Sequence, residues 1–133
     1  MKTQGLLPAL LLLATPTWAD DTAALCAEAE ERYAEVFGQP STAVRDAEVV
    51  LMYKYHFCPV EITVKAGTTV RWVNVDKRTS HSVLLKDGSE RETDRIFPEE
   101  SVDLTFLTPG PQDYLCGPHW ETQNMIGMVT VEP

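Results

Sequence analysis

Hydrophobic side chains follow two different periods along the chain. Between residues 22 and 37 they recur at helical spacing, and most acidic side chains lie outside the stripe that they form. Such a stripe is typical of an amphipathic helix, which packs on the chain's own core or on a partner; its members are Leu25, Ala29, Tyr33, Val36 and Phe37. One of Asp20, Asp21 and Thr22 is expected to cap the helix start, and the turn residues at 38–42 are expected to end it.

After Glu48 the period becomes that of β-strands. Residues 49–57 are rich in β-branched and aromatic side chains, and Val70, Trp72 and Asn74 share one face of a later strand. Further strands are expected at 62–64, 83–85, 102–106, 114–116 and 128–131, with turns at 66–68, 87–88 and 109–111. About seven short strands with this spacing predict an all-β, antiparallel sandwich. No repeat and no second domain is visible in the sequence.

The first 19 residues have the pattern of a secretory signal peptide. Lys2 precedes an apolar run at residues 6–14, and Thr17 to Ala19 offers a small-x-small cleavage site. A buried helix and an uncleaved anchor are the alternatives, although the run is shorter than the ~20 apolar residues that span a bilayer. The pattern predicts export to the periplasm, without a membrane span.

The net charge of the chain limits the classes of molecule that it is expected to bind. The sequence has 11 basic and 20 acidic side chains, so removal of Lys2 leaves 10 against 20 and a net charge of −10. Nucleic acid is an unfavourable partner, because phosphate binding requires positive charge. The acidity is compatible both with simple solubility and with electrostatic steering toward a basic redox partner.

Four potential soft-metal ligands stand out among the polar residues. Cys116, His119 and Met125 lie within ten residues, and His81 lies 35 residues upstream. One thiolate, two imidazoles and a thioether form the ligand set of mononuclear blue-copper sites, and they suit both Cu(I) and Cu(II). Each residue alone is common in purely structural roles, but their joint spacing favours one copper ion. Zinc is less well matched, because methionine is a poor zinc ligand.

Two further cysteines remain once Cys116 is assigned to the metal. Cys26 and Cys58 form an even pair, and in an oxidising compartment such a pair most simply forms a disulfide. The alternative is a second metal site at His56 and Cys58.

Several motifs together resemble those of the cupredoxins, the plastocyanin/azurin-like blue-copper proteins. The motifs lie at residues 57–59, 62–74, 81–83 and 116–131. The resemblance implies a Greek-key β-sandwich over residues 48–133, preceded by a helix and linker at 20–47 that are not part of the general pattern.

The resemblance also implies roles for individual residues. His81, Cys116 and His119 would be the equatorial copper ligands and Met125 the weak axial one. Two further residues would support them: the backbone N–H of Ser82 would bond the thiolate, and Asn74 would hold the loop that carries His81. Five residues separate His119 from Met125, which is more than in the relatives.

The function implied by the resemblance is single-electron transfer through Cu(I)/Cu(II). The motifs at residues 76–78, 95–98 and 116–119 look most like those of small periplasmic cupredoxins linked to copper tolerance, so binding or oxidising Cu(I) is the alternative. Either a redox partner protein or a supply of Cu(I) is the expected partner, and we expect a monomer. Three histidines are too few for a multicopper enzyme, and hydrolase signatures are absent from the sequence, so we do not expect an enzyme.

Overall fold

A computed structural model describes residue 12 and residues 18–133 of the 133-residue chain. The predicted signal peptide at 1–19 therefore lies almost entirely outside the described residues. Within them, none of the helices has the length and apolar character needed to cross a membrane.

The described chain contains two helices and eight strands. The helices are α1 (Trp18–Phe37) and the four-residue α2 (Trp120–Gln123), and a 3-10 turn lies at Ser41–Ala43. The strands are β1 (Glu48–Tyr53), β2 (His56–Cys58), β3 (Glu61–Lys65), β4 (Thr68–Asn74), β5 (Leu84–Leu85), β6 (Ser101–Phe106), β7 (Gly110–Leu115) and β8 (Ile126–Glu132).

The strands form two four-stranded sheets, which confirms the predicted sandwich. The first sheet has the order β2-β1-β4-β6 and the second the order β3-β8-β7-β5. Four strand pairs are antiparallel as predicted, whereas β1 with β4 and β3 with β8 pair in parallel. Each parallel pair joins two strands that are not consecutive in the chain.

The segment at 49–57 divides into a hairpin that the sequence did not predict. Tyr53 pairs with His56, so Lys54 and Tyr55 form a two-residue turn, and both have positive φ (45° and 63°). Turns of this kind normally use Asn or Gly at these positions, so their usual sequence signal is missing.

The space between the sheets is filled by one apolar cluster. It contains Trp72 and Tyr114, whose rings meet edge to face with centroids 5.2 Å apart, and it extends to Cys116 and Met125. Aromatic and β-branched side chains from both sheets pack together in this cluster, which is the main core of the fold.

Helix α1 covers the outer face of the first sheet. Ala29 and Tyr33 are buried against Leu51, Tyr53 and Val73. Of the two uses that its apolar stripe allowed, the helix therefore packs on the chain itself. This packing explains why residues 50–53 of β1 are all buried, since one face of the strand contacts the core and the other contacts the helix.

The structure contains the predicted disulfide between Cys26 of α1 and Cys58 of β2. Gly38, with φ of 74°, ends the helix and donates its N–H to the carbonyl of Ala34 at 2.9 Å. The predicted cap is wrong: the helix begins at Trp18 and already includes residues 20–22.

The sheets bring three chain segments to one end of the sandwich. Leu84 pairs with Leu115, so the residues just before β5 lie beside those just after β7. Met52 pairs in parallel with Asn74, so the β1–β2 turn lies beside the loop that follows β4. This end of the fold carries the candidate site.

Candidate metal centre

Three of the predicted ligands meet at this end of the sandwich. The Sγ of Cys116 lies 3.7 Å from His81 Nδ1 and 3.4 Å from His119 Nδ1, and the two Nδ1 atoms are 3.2 Å apart. This trio is the one group of potential metal ligands of its kind within the described residues. His81 and Cys116 are fully buried, and His119 is half-buried.

The spacing of the three atoms fits a bound transition-metal ion. Metal bonds to imidazole nitrogen and thiolate sulfur are about 2.0–2.3 Å long, so three donors around one ion should be about 3.5 Å apart. The observed distances scatter around that value. A thiolate with two imidazoles suits a soft ion such as copper.

His81 is fixed both through its backbone and through its ring. Its backbone exchanges two hydrogen bonds with Ile96, at 3.1 and 2.8 Å. Its Nε2 lies 2.5 Å from Oδ2 of Asp76, which is itself almost fully buried. An Nε2–H that donates to this carboxylate leaves the Nδ1 lone pair free to face the metal position.

Asn74 is hydrogen-bonded to the loop that leads to His81. Its side-chain amide donates to the carbonyls of Thr79 and Ile96, both at 2.8 Å, and its Oδ1 accepts the N–H of Asp76 at 2.9 Å. The side chain is fully buried, so these bonds replace the water it would otherwise need.

The Cys116 sulfur contacts a backbone amide of the segment that carries His81. The N–H of Ser82 points at Sγ over 3.5 Å. Burial is the main reason why the pKa of the Cys116 thiol is raised, while the backbone bonds from Ser82 and His119 act in the opposite direction. A bound cation would reverse this preference, because a metal-coordinated thiol is deprotonated.

His119 forms the outer wall of the site. Its ring meets that of Tyr55 edge to face, with centroids 4.9 Å apart and planes at 74°. Desolvation is the main cause that lowers the pKa of His119, and the charge of a protonated His81 nearby would lower it further. The neutral form, which can bind a metal, is therefore favoured.

Met125 is buried next to Cys116. Its carbonyl accepts the Cys116 N–H at 3.0 Å, and its fully buried side chain belongs to the same apolar cluster. The five residues that separate it from His119 are the four residues of the helical turn α2 and its C-cap Asn124, whose φ is 52°. The left-handed residue lies directly before Met125, at the end of this helical turn.

The alternative metal site at His56 and Cys58 is wrong. Cys58 is bonded to Cys26, and His56 Nδ1 lies 2.8 Å from the carbonyl of Lys54.

Three residues of the site were missed by the sequence analysis. Asp76 contacts His81, Tyr55 contacts His119, and Glu92 contacts Ser82. Only the position of Asp76, two residues after Asn74 in the loop that leads to His81, could have drawn attention to it. The other two come close only through the fold.

Comparison with known proteins agrees with this geometry. Residues 47–132 match the family model described as copper binding proteins of the plastocyanin/azurin family. Amicyanin from Paracoccus versutus is 34% identical over 123 residues, which cover 90% of this chain and 85% of that protein. Amicyanin-alpha from Methylorubrum extorquens is 36% identical over 115 residues, covering 84% and 87%.

A solved structure of amicyanin from Paracoccus versutus has a TM-score of 0.58 at 35% identity, and covers 69% of this chain and 88% of that one. Helix α1 lies outside the residues that match the family model. The domain that follows it holds the ligand trio, and the chain belongs to the plastocyanin/azurin family of copper-binding proteins.

Proposed function

We propose that this chain is a periplasmic carrier of single electrons, with one copper ion held by His81, Cys116, His119 and Met125. The observation that supports it most directly is the convergence of one sulfur and two Nδ1 atoms within 3.7 Å of one another. A copper ion bound there would alternate between Cu(I) and Cu(II) and so accept and release one electron.

The protein's part is to hold the ligands in place during this change. His81 is fixed by Asp76 and Ile96, and the Cys116 N–H is bonded to the Met125 carbonyl. A ligand set held by buried hydrogen bonds moves little between oxidation states, and small rearrangement favours fast electron transfer.

His119 is the proposed route for the electron. His81 and Cys116 are fully buried, whereas the ring of His119 is half-buried and packs against the exposed Tyr55. A redox partner that docks here would approach the copper through the His119 ring. Met125 would serve as the weak axial ligand, since its side chain is buried in the same cluster as Cys116.

Export is supported by two independent features. The disulfide between Cys26 and Cys58 is typical of oxidising compartments, and residues 1–19 have the pattern of a signal peptide. Within this proposal the protein is a monomer without enzymatic activity, and its partner is another redox protein.

The visible spectrum tests this function. Apoprotein of residues 20–133 that receives Cu(II) should develop an intense visible band from thiolate-to-copper charge transfer, and Cys116→Ser should abolish it. Persistence of the band in Cys116→Ser would contradict the assignment. Met128→Leu is the matched control, because Met128 lies within β8 and should leave the band unchanged.

A second experiment separates electron transfer from copper tolerance. Deletion of the gene followed by a challenge with copper should leave growth unchanged if the protein only carries electrons. A marked loss of growth would instead favour the binding or oxidation of Cu(I).

A further inference from the structure

The carboxylate of Glu92 reaches the metal site through two other residues. Its Oε1 accepts a hydrogen bond from the Ser82 hydroxyl at 2.7 Å, and the same hydroxyl oxygen accepts the backbone N–H of Gly117 at 2.9 Å. Ser82 directly follows His81, and Gly117 directly follows Cys116. One hydroxyl therefore joins the two ligand segments, and Glu92 determines where that hydroxyl points its proton.

The hydroxyl can serve both neighbours only in this arrangement. Ser82 has one O–H donor and two acceptor lone pairs, so donating to Glu92 leaves a lone pair free for Gly117. A hydrogen bond to a charged carboxylate also polarises the hydroxyl and strengthens the bond that it accepts. Removal of the carboxylate should therefore weaken the contact between Ser82 and Gly117.

The absence of a side chain at Gly117 makes room for this bridge. A Cβ on Gly117 would lie 1.8 Å from Glu92 Oε1 and 2.9 Å from Ser82 Oγ. Although Glu92 is an exposed residue, its carboxylate thus sits against the backbone of the segment that carries Cys116.

The negative charge of Glu92 also lies close to the proposed metal ligands. Its Oε1 is bonded to the hydroxyl of Ser82, and the backbone N–H of the same serine points at the Cys116 sulfur. A negative charge near a redox-active metal stabilises the more positive oxidation state.

We propose that Glu92 is a positioning residue: it ties the segments of His81 and Cys116 together through Ser82, and it lowers the reduction potential of the copper site. This inference rests on the proposed function, because the potential exists only when copper is bound. The bridge itself can be tested in the apoprotein.

The first test separates the charge from the hydrogen bond. Glu92→Gln retains an acceptor oxygen and removes the charge, so the affinity for Cu(II) relative to Cu(I) should fall by about tenfold, which corresponds to about 59 mV in reduction potential. Glu90→Gln is the matched control, since it removes an equal charge from an exposed position two residues earlier. A shift in Glu92→Gln no larger than that of Glu90→Gln would overturn the electrostatic role.

The second test uses hydrogen exchange of the Gly117 amide in the apoprotein, measured by NMR. Glu92→Ala and Ser82→Ala should each accelerate this exchange by about tenfold or more, because both weaken the bond that protects it. Glu92→Gln keeps an acceptor oxygen but loses the charge, so its exchange should be intermediate between the wild type and Glu92→Ala. Exchange in Glu92→Ala as slow as in the wild type would overturn the bridge.

The two experiments also separate this inference from the function on which it rests. If the wild-type protein bound no copper, the proposed function and the statement about the potential would both fall. The exchange rates would still decide whether Glu92 ties the two segments together.

Discussion

Asp76 and His81 form a buried pair, with Oδ2 and Nε2 2.5 Å apart. The other oxygen of Asp76 accepts the backbone N–H of Lys54 at 3.0 Å. One carboxylate thus connects a ligand imidazole to the β1–β2 turn, whose next residue, Tyr55, packs on the second imidazole. The two histidine ligands are coupled through a turn that neither of them belongs to.

Replacement of Asp76 by Asn should raise the reduction potential while copper stays bound. Asn retains an acceptor oxygen for His81 but removes the charge that makes the imidazole a stronger ligand for Cu(II). We expect the preference for Cu(II) over Cu(I) to fall by about tenfold, or about 59 mV, as measured by redox titration. Asp46→Asn, at an exposed residue before β1, should cause no comparable shift; equal shifts would contradict a specific role for Asp76.

Met125 rather than Met128 should tune the copper site. Met125→Leu should raise the reduction potential and change the spectrum with copper retained, because the axial ligand of such sites controls both. Met128→Leu conserves volume within β8 and should lower the free energy of unfolding by less than about 1.5 kcal/mol. Electrochemistry and absorption spectra of both variants test this assignment. A shift in Met128→Leu without a shift in Met125→Leu would assign the axial position to Met128.

The attachment of α1 to the β1–β2 hairpin should weaken in acid. Glu28 accepts hydrogen bonds from Lys54 Nζ at 2.8 Å and from the Tyr53 hydroxyl at 2.6 Å. Both bonds lower the pKa of Glu28 below its ordinary value of 4.5, and the bond from Lys54 has the larger effect. The folded state therefore favours the ionised form. Its contribution to stability is present above pH 4.5 and is lost as the pH falls through the lowered pKa.

Urea denaturation of the apoprotein between about pH 3 and pH 7 measures this effect. Glu28→Gln should be less stable than the wild type near neutral pH, and the difference should disappear in acid, where the wild-type carboxyl is also neutral. Glu31→Gln, an exposed change in the same helix, is the control. A difference for Glu28→Gln that does not vary with pH would argue against the role of the ionised group.

The disulfide should contribute measurably to stability but not to copper binding. It links residues 32 positions apart, for which the chain-entropy model gives about 3–4 kcal/mol. The double variant Cys26→Ser, Cys58→Ser should lose about that much free energy of unfolding in urea and keep its visible band. Loss of the band in a folded double variant would mean that the bridge supports the copper ligands directly.

The sequence was most informative where chemistry depends on residue type and spacing. Cys116 and His119 lie on one short segment, and few residue types can bind copper. The metal site could therefore be predicted from the chain itself. Asp76 and Glu92 were not, because a carboxylate in a polar loop looks like any exposed acid until the fold brings it to His81 or Ser82. Their contribution is a property of tertiary contacts.

The same distinction applies to the fold. Alternating residues such as those of β4 identified strands and the helical stripe identified α1, but pairing partners depend on the whole sheet. The parallel pairs, and the turn at Lys54 and Tyr55, therefore could not be predicted from local patterns. The helix start was also missed, because the residues that looked like a cap lie inside α1.

The first sheet separates the three cysteines of the chain into two chemical environments. Cys58 faces α1 on the outer side, whereas Cys116 faces the core between the sheets and is fully buried. In the unfolded chain all three thiols can react, and two of the three possible pairings would consume the one that binds copper. Folding should end this competition, because Cys116 is buried in the folded chain. We therefore expect the yield of copper-competent protein to depend on whether the sandwich closes around Cys116 before an oxidant reaches it.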